Sequence, residues 1–84
     1  MATPMHKIYG WLVDSQDRGA THVLVICDKF TYEDFPIACK NSEECNTYYD
    51  YYEQNKTHYR VVEVYDLSMD IDEQLMSPRA WNLP

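Results

Sequence analysis

The spacing of hydrophobic and polar positions changes along the chain, and each change marks a new predicted element. The first apolar residues recur at the spacing of one helical face: Met5, Ile8, Tyr9 and Leu12. Thr3 offers a capping side chain, Pro4 suits the first helical position, and Gly19 can adopt the left-handed conformation that ends a helix. The pattern predicts a helix over residues 4–17.

Two strands follow this helix. Residues 21–30 contain an unbroken apolar run from Val23 to Cys27, which is typical of a strand covered on both faces and therefore central in its sheet. Residues 35–40 predict a second strand after a polar loop at 31–34. Because the nitrogen of Pro36 cannot donate to a neighbouring strand, this second strand is expected at an edge.

A tyrosine-rich segment forms the second predicted helix. Asn41 and Glu44 have the spacing of a capping box. At about 100° per residue one face then carries Cys45 and three of the four clustered tyrosines, Tyr48, Tyr49 and Tyr52, with Tyr51 on the flank. We expect this face to pack on the sheet and leave only hydroxyl groups for recognition.

The last predicted elements complete an α+β chain. Residues 59–65 are β-branched and predict a third strand, and Asp70 with Glu73 predicts a capped short helix that ends at Leu75 or Met76. The order is αββαβα, with a three-stranded sheet in a single domain over residues 1–84. Three helices, one of them very short, can hardly cover both faces of a sheet whose central strand is apolar on both faces. Either the C-terminal segment or a second copy must cover it, and we favour a homodimer because two-fold pairing is the commonest assembly.

Charge narrows the classes of partner. The chain has 14 acidic and 7 basic residues and a formal charge of −7. Such a charge argues against direct nucleic-acid binding, and it suits either a partner protein with a basic surface or a protein that is simply soluble. No apolar run approaches the roughly 20 residues that span a bilayer. The first residues lack the apolar core of a signal peptide, so we expect a cytoplasmic protein with no membrane association.

The cysteines agree with a reducing compartment. Cys27, Cys39 and Cys45 are odd in number and lack the C-x-x-C spacing of a zinc or redox site, so free thiols are expected. Across a hairpin whose loop spans residues 31–35, Cys27 and Cys39 could face each other and oxidise.

Few residues indicate catalysis. Gly10 and Gly19 are the only glycines, which argues against a phosphate-binding loop. The three histidines, His6, His22 and His58, lack ligand spacing, and 84 residues leave little room for a catalytic cleft. We expect neither an enzyme nor a cofactor.

One acidic segment contains no lysine or arginine between residues 61 and 78: Glu63, Asp66, Asp70, Asp72 and Glu73. Clustered carboxylates suit a hard cation, helix capping, solvation or a basic partner. The spacing of a calcium-binding loop is missing, so we expect no metal here.

A second candidate is the stretch 28–36, where aromatic and acidic residues alternate at a hairpin tip: Tyr32, Glu33, Asp34 and Phe35. Exposed rings beside carboxylates suit a protein-binding loop, whereas buried rings would form a small cluster against the second helix. Both interpretations stay open at this point.

Three segments carry a resemblance: GATHVLVICDKFTYEDFPIACK, RVVEVYDLSMDIDEQL and RAWNL. They resemble a family of small uncharacterised proteins of bacteria and their phages. The resemblance implies no catalytic residue. It implies the context of phage accessory genes, whose small acidic products often bind and inhibit host factors, including defence systems.

These observations lead to an expected function. The protein would be a non-enzymatic, phage-type accessory protein that binds and inhibits a host protein, such as a nucleic-acid-handling defence complex. The acidic segment would meet a basic surface, and Tyr32, Phe35 and Trp81 would be apolar anchors. The alternative is a protein that sequesters a nucleotide-like signal molecule between stacked tyrosines at a dimer interface, for which the chain has few positive charges.

Overall fold

A computed structural model describes residues 4–76. The elements are α1 (Met5–Asp17), β1 (His22–Asp28), β2 (Asp34–Cys39), α2 (Ser42–Gln54), β3 (Tyr59–Asp66) and α3 (Ile71–Met76). The strands form one antiparallel sheet in the order β2-β1-β3. The predicted α+β class, the element order, the central first strand and the edge position of the second strand are confirmed.

Local signals set the helix ends. Pro4 is the N-cap of α1 rather than its first helical residue, and its carbonyl accepts the amides of Lys7 and Ile8. The predicted cap by Thr3 lies outside the described residues. Gly19 follows α1 with a φ of 85°, as expected for a left-handed helix end. At the start of α2 the Asn41 side chain accepts the Glu44 amide at 2.8 Å, which confirms the predicted cap.

Strand β1 separates two hydrophobic clusters. Val23 and Val25 face α1 and α3 and pack with Leu12, Tyr65 and Leu67. Leu24 and Ile26 face α2 and pack in a cluster completed by Cys39, Cys45 and Val64. All four β1 side chains are 0% exposed within a single copy.

This burial removes the reason for expecting a homodimer. The expectation assumed that three helices could not cover both faces, but α1 and α3 share one face and α2 covers the other. The assumption about cover was wrong because α3, although only 6 residues long, places Ile71 and Leu75 against the first cluster. The homodimer itself stays a prediction for sedimentation to test.

A bulge explains why β3 alternates only partly. Glu63 pairs with Val25 and Val61 pairs with Ile26, so Val62 is an extra residue between two paired positions. Val62 packs on the α1 side, whereas Val61 packs on the α2 side. The extra residue lets both halves of the strand contribute side chains to the correct cluster.

The predicted tyrosine face is partly wrong. Tyr49 and Tyr52 pack on the α2 cluster with buried Cys45, as expected, but Tyr48 is 38% exposed. At about 100° per residue, Tyr48 and Tyr49 fall on opposite sides of the line through Cys45 and Tyr52. The ring of Tyr48 lines an open groove along the first turns of α2, together with Asn41, Glu43, Glu44 and Thr47.

The predicted proximity of Cys27 and Cys39 is also wrong. Cys27 pairs with Asp34 at one end of the β1–β2 ladder, and Cys39 pairs with His22 at the other end. The loop joins the strands at the Cys27 end, so the two cysteines lie apart along the sheet. Within residues 4–76, none of the helices has the length and apolar character needed to cross a membrane.

Candidate partner-binding surface

The candidate binding residues predicted from the sequence fall at opposite ends of β1. The hairpin residues Tyr32, Glu33, Asp34 and Phe35 follow its Asp28 end, whereas Asp66 pairs with His22 at its start. A strand of this length separates its ends by roughly 20 Å, at about 3.3 Å per residue. The two predicted groups therefore form two separate surfaces. We call residues 29–33 the aromatic loop, and Asp66, Asp70, Asp72 and Glu73 the acidic end.

The aromatic loop is held by Asp28. Its carboxylate accepts the amides of Phe30 at 2.8 Å and Thr31 at 3.3 Å, and its carbonyl accepts the Tyr32 amide at 2.7 Å. The Asp28 amide donates to the Glu33 carbonyl at 2.9 Å and closes the loop. These bonds hold the loop backbone in one conformation, and a loop that is already ordered loses less entropy when it binds a partner than a disordered loop does.

Two rings of this loop face solvent. Phe30 is 71% exposed and Tyr32 is 69% exposed. Tyr32 also has a φ of 59°, in the left-handed region that costs a residue with a side chain roughly 1–2 kcal/mol. The loop therefore combines an unfavourable backbone conformation with two exposed apolar side chains, a combination that favours a functional role over a folding role.

A cluster of packed rings lies next to the aromatic loop, on the α2 side of the sheet. Phe35 lies 6.2 Å from both Tyr52 and Tyr59, and the latter two are 5.0 Å apart. We call Phe35, Tyr52 and Tyr59 the ring cluster. Burial raises the pKa of the Tyr52 phenol, and the neighbouring tyrosines add to the effect. Each interpretation of the stretch 28–36 therefore describes some of its residues, because Phe35 packs against α2 while Tyr32 stays exposed.

His58 joins the ring cluster to the aromatic loop. Its ring centroid lies 5.0 Å from that of Phe30 and 6.4 Å from that of Tyr59. Its carbonyl accepts the Lys29 amide at 2.8 Å, and the Lys29 ammonium group donates to the Lys56 carbonyl. The Lys29 side chain thus reaches the loop between α2 and β3, whereas the Lys56 ammonium group lies 3.7 Å from the Glu53 carboxylate.

At the acidic end, Asp66 holds the chain that leaves β3. Its carboxylate accepts the Ser68 amide at 2.9 Å and the Ser68 hydroxyl at 2.6 Å, and it lies 3.9 Å from the His22 ring. Burial raises the pKa of the Asp66 carboxyl, but the bonds from Ser68 and the nearby His22 outweigh burial, so the pKa lies below its usual value. The bonds that hold this turn therefore stabilise the charged form of the Asp66 carboxyl.

Gln74 fastens α3 to the same turn. This side chain is 8% exposed, accepts the Asp66 amide at 3.0 Å, and donates to the carbonyls of Asp66 at 2.8 Å and Asp70 at 3.3 Å. A third residue, Gln16, donates to the Leu67 carbonyl at 3.2 Å. The acidic end is thus held mainly by side-chain bonds to backbone groups.

The remaining predicted acids differ in position. Asp70 accepts the Glu73 amide at 3.1 Å and caps α3, as predicted. Asp72 and Glu73 are exposed in the first turn of α3. Glu63 is half-buried and pairs with Val25 in the middle of the sheet, away from the acidic end. Trp81, the other predicted anchor, lies outside the described residues.

The binding residues predicted from the sequence include neither Phe30 nor Gln74, although Phe30 lies within the candidate stretch 28–36. Phe30 was placed at the end of a strand over residues 21–30, but β1 stops at Asp28. The signal that could have identified the loop is Asp28 itself, since aspartate often bonds to the backbone two residues on and starts a turn. For Gln74 the signal is weaker, because a glutamine in an acidic helix usually faces solvent.

Neither a search for metal-binding side chains nor a comparison with known proteins assigns a role to any residue. Among residues 4–76, no group of three or more histidine, cysteine, aspartate or glutamate side chains is arranged to hold a metal ion. No protein-family model, curated protein or solved structure matches this chain.

Proposed function

We propose that this protein is a non-catalytic binding module that occupies and inhibits a partner protein, in keeping with the context that its resemblance to small uncharacterised proteins of bacteria and their phages implies. The aromatic loop inserts Phe30 and Tyr32 into the partner. The net negative charge, including exposed Asp72 and Glu73, attracts a partner with a basic surface.

The observation that carries the proposal is the exposure of two rings on a fixed loop. Binding energy in protein interfaces concentrates in a few large side chains that become buried, and aromatic residues are common among them. Phe30 and Tyr32 expose 71% and 69% of their surface, so most of each ring is available for burial against a partner. The bonds from Asp28 keep the loop in one conformation, which favours tight association.

Charge supports the choice of partner. The chain has 14 acidic and 7 basic residues. Its net negative charge should attract a positively charged protein surface over a long range and so increase the association rate. Asp66 and Asp70 already bond to nearby backbone groups, whereas Asp72 and Glu73 are exposed. We therefore assign the steering role at the acidic end to Asp72 and Glu73.

A second candidate is a binder of a nucleotide-like molecule. The rings of Phe30 and His58 form a tilted pair, with ring planes 35° apart; Lys29 precedes Phe30 in the loop, and Arg60 follows in β3, whereas the Lys56 ammonium group pairs with Glu53. Rings stack on a base and cations meet phosphate. Lys29 and Arg60 are the cations that would meet the phosphate in this candidate.

Affinity capture from a bacterial lysate tests the proposal. We expect the wild-type protein to retain a protein that Phe30→Ser/Tyr32→Ser fails to retain. The matched control is Tyr9→Ser/Tyr48→Ser, which removes two rings that are 44% and 38% exposed on other elements. Equal capture by all three proteins would contradict the assignment to the aromatic loop.

Mass spectrometry of the purified protein separates the two candidates. A nucleotide that co-purifies with the wild type but not with Phe30→Ser would favour the small-molecule candidate. A protein partner captured in the absence of any such ligand would favour the binding module.

A further inference from the structure

The end of β2 and the first turns of α2 bring two cysteines together. Cys39 is the last residue of β2, and Cys45 lies in α2, whose first residue is Ser42. Both belong to the cluster on the α2 side of the sheet, where they are 0% and 2% exposed. They lie on either side of the turn at Asn41, the Cys39 thiol donates to the Ile37 carbonyl at 3.8 Å, and the pKa of each thiol is shifted by the other.

We propose that Cys39 and Cys45 are the site of a reversible intramolecular disulfide that forms when the protein meets a peroxide. The bond would join the end of β2 to α2 across the turn that contains Asn41. Cys27 is excluded, because it pairs with Asp34 at the opposite end of the β1–β2 ladder.

The protonation of the pair suits this chemistry. Hydrogen bonding to the Cys39 thiol is the largest influence on the pKa of the Cys45 thiol and holds it below its usual value, against the effect of burial. The same interaction, together with burial, raises the pKa of the Cys39 thiol. Cys45 is therefore the thiolate that attacks, since the thiolate is the reactive form of cysteine.

The reaction balances with a peroxide as the oxidant. The Cys45 thiolate attacks one peroxide oxygen, the O–O bond breaks, and a sulfenic acid and hydroxide form. The Cys39 sulfur then attacks the Cys45 sulfur, an S–S bond forms, and the sulfenic oxygen leaves as water. The two thiols lose one electron each, the peroxide is reduced to two water molecules, and a dithiol reductant reverses the change.

Burial makes the reaction depend on local opening. Since both side chains are almost fully covered, a peroxide can reach Cys45 only when the first turn of α2 separates from the sheet. That turn is held by Asn41, whose side chain accepts the Glu44 amide, and by Glu44, which accepts the Lys40 amide at 3.1 Å. A disulfide would keep this turn closed.

Tryptic mapping tests the site, because Arg18, Lys29, Lys40 and Lys56 place the three cysteines in three different peptides. The intact folded protein is treated with hydrogen peroxide, blocked with an alkylating agent and digested without reduction. We expect peptide 30–40 linked to peptide 41–56, a loss of two hydrogen atoms, and a higher unfolding temperature than in the reduced protein.

Controls make the result decisive. Cys27→Ser should still form the link, whereas Cys39→Ser and Cys45→Ser should form none and show no rise in unfolding temperature. A dithiol reductant should restore three alkylatable thiols. The proposal is overturned if the link involves Cys27, or if the Cys39–Cys45 link appears only after the protein is unfolded in urea.

Discussion

The two ends of the central strand are stabilised in different ways. At the Asp28 end, the ring cluster of Phe35, Tyr52 and Tyr59 packs under a loop whose own rings, Phe30 and Tyr32, stay exposed. At the His22 end, carboxylates and amides bond to backbone groups beside the buried side chains of Tyr65 and Leu67. At the aromatic end the folding and binding residues lie in different clusters, whereas at the acidic end the structural acids Asp66 and Asp70 are close in sequence to the exposed acids Asp72 and Glu73.

This difference determines which substitutions are informative. Removing Phe30 or Tyr32 changes an exposed surface and leaves the ring cluster in place. Replacing Asp66 or Asp70 breaks bonds that hold a turn or cap a helix, so a loss of binding could reflect a loss of structure. Reversal of Asp66 is therefore a poor test of binding, and Asp72 and Glu73 are better sites.

The largest expected effect on stability is at the ring cluster. Tyr52→Ala should lower the free energy of unfolding by about 3 kcal/mol, because it removes a ring packed between Phe35 and Tyr59. Tyr48→Ala should cost less than about 1 kcal/mol, because Tyr48 is 38% exposed and does not pack in the α2 cluster with Tyr49 and Tyr52. Urea unfolding of both variants measures the difference. Equal losses would mean that the ring cluster has no special share in the fold.

The next largest effect tests the acidic end. Gln74→Ala should cost about 2 kcal/mol, because it leaves the Asp66 amide and carbonyl without their side-chain partner. Glu73→Ala at the neighbouring exposed position is the control and should cost less than about 1 kcal/mol. A Gln74 variant as stable as the Glu73 control would contradict the role of Gln74.

A smaller effect should depend on pH. The pKa of Asp66 is lower in the folded protein than in the unfolded chain, so its contribution is present above the unfolded value of about 4. That contribution is lost as pH falls from there through the folded pKa. Asp66→Asn should lower stability by about 1 kcal/mol at neutral pH and by less in acid. Unfolding curves at several pH values compare the two proteins, and a constant difference would argue against this origin.

The smallest effects on stability should come from the proposed binding residues. Phe30→Ser/Tyr32→Ser should change the free energy of unfolding by less than about 1 kcal/mol, because both rings are exposed. Asp72→Lys/Glu73→Lys should also cost about 1 kcal/mol or less, through the loss of favourable charge at the start of α3. Thermal unfolding checks both. A large loss in either variant would mean that these side chains hold the fold.

The sequence predicted the elements better than it predicted the surfaces. The apolar run Val23–Cys27 identified the central strand because burial on both faces removes the need for alternation. The caps at Asn41 and Asp70 were predictable because they depend on neighbours three residues away. Predictions of this kind hold in the folded protein because they depend on residues that are close in sequence.

Features that depend on distant contacts were missed. Periodicity assigned Tyr48 to the buried face, but its position at the margin of that face and the width of a three-stranded sheet leave it partly exposed. Cys39 and Cys45 belong to one cluster because of how α2 returns over β2, and the exposure of Phe30 depends on where β1 stops. Neither can be read from the spacing of residues alone.

Binding kinetics of a captured partner test the central claim most directly. At several salt concentrations, Phe30→Ser/Tyr32→Ser should dissociate at least tenfold faster than the wild type, since loss of an anchor acts mainly on the dissociation rate. Asp72→Lys/Glu73→Lys should instead associate more slowly at low salt, with a weaker dependence on salt. The account is contradicted if the aromatic loop variant binds with wild-type rates while remaining folded.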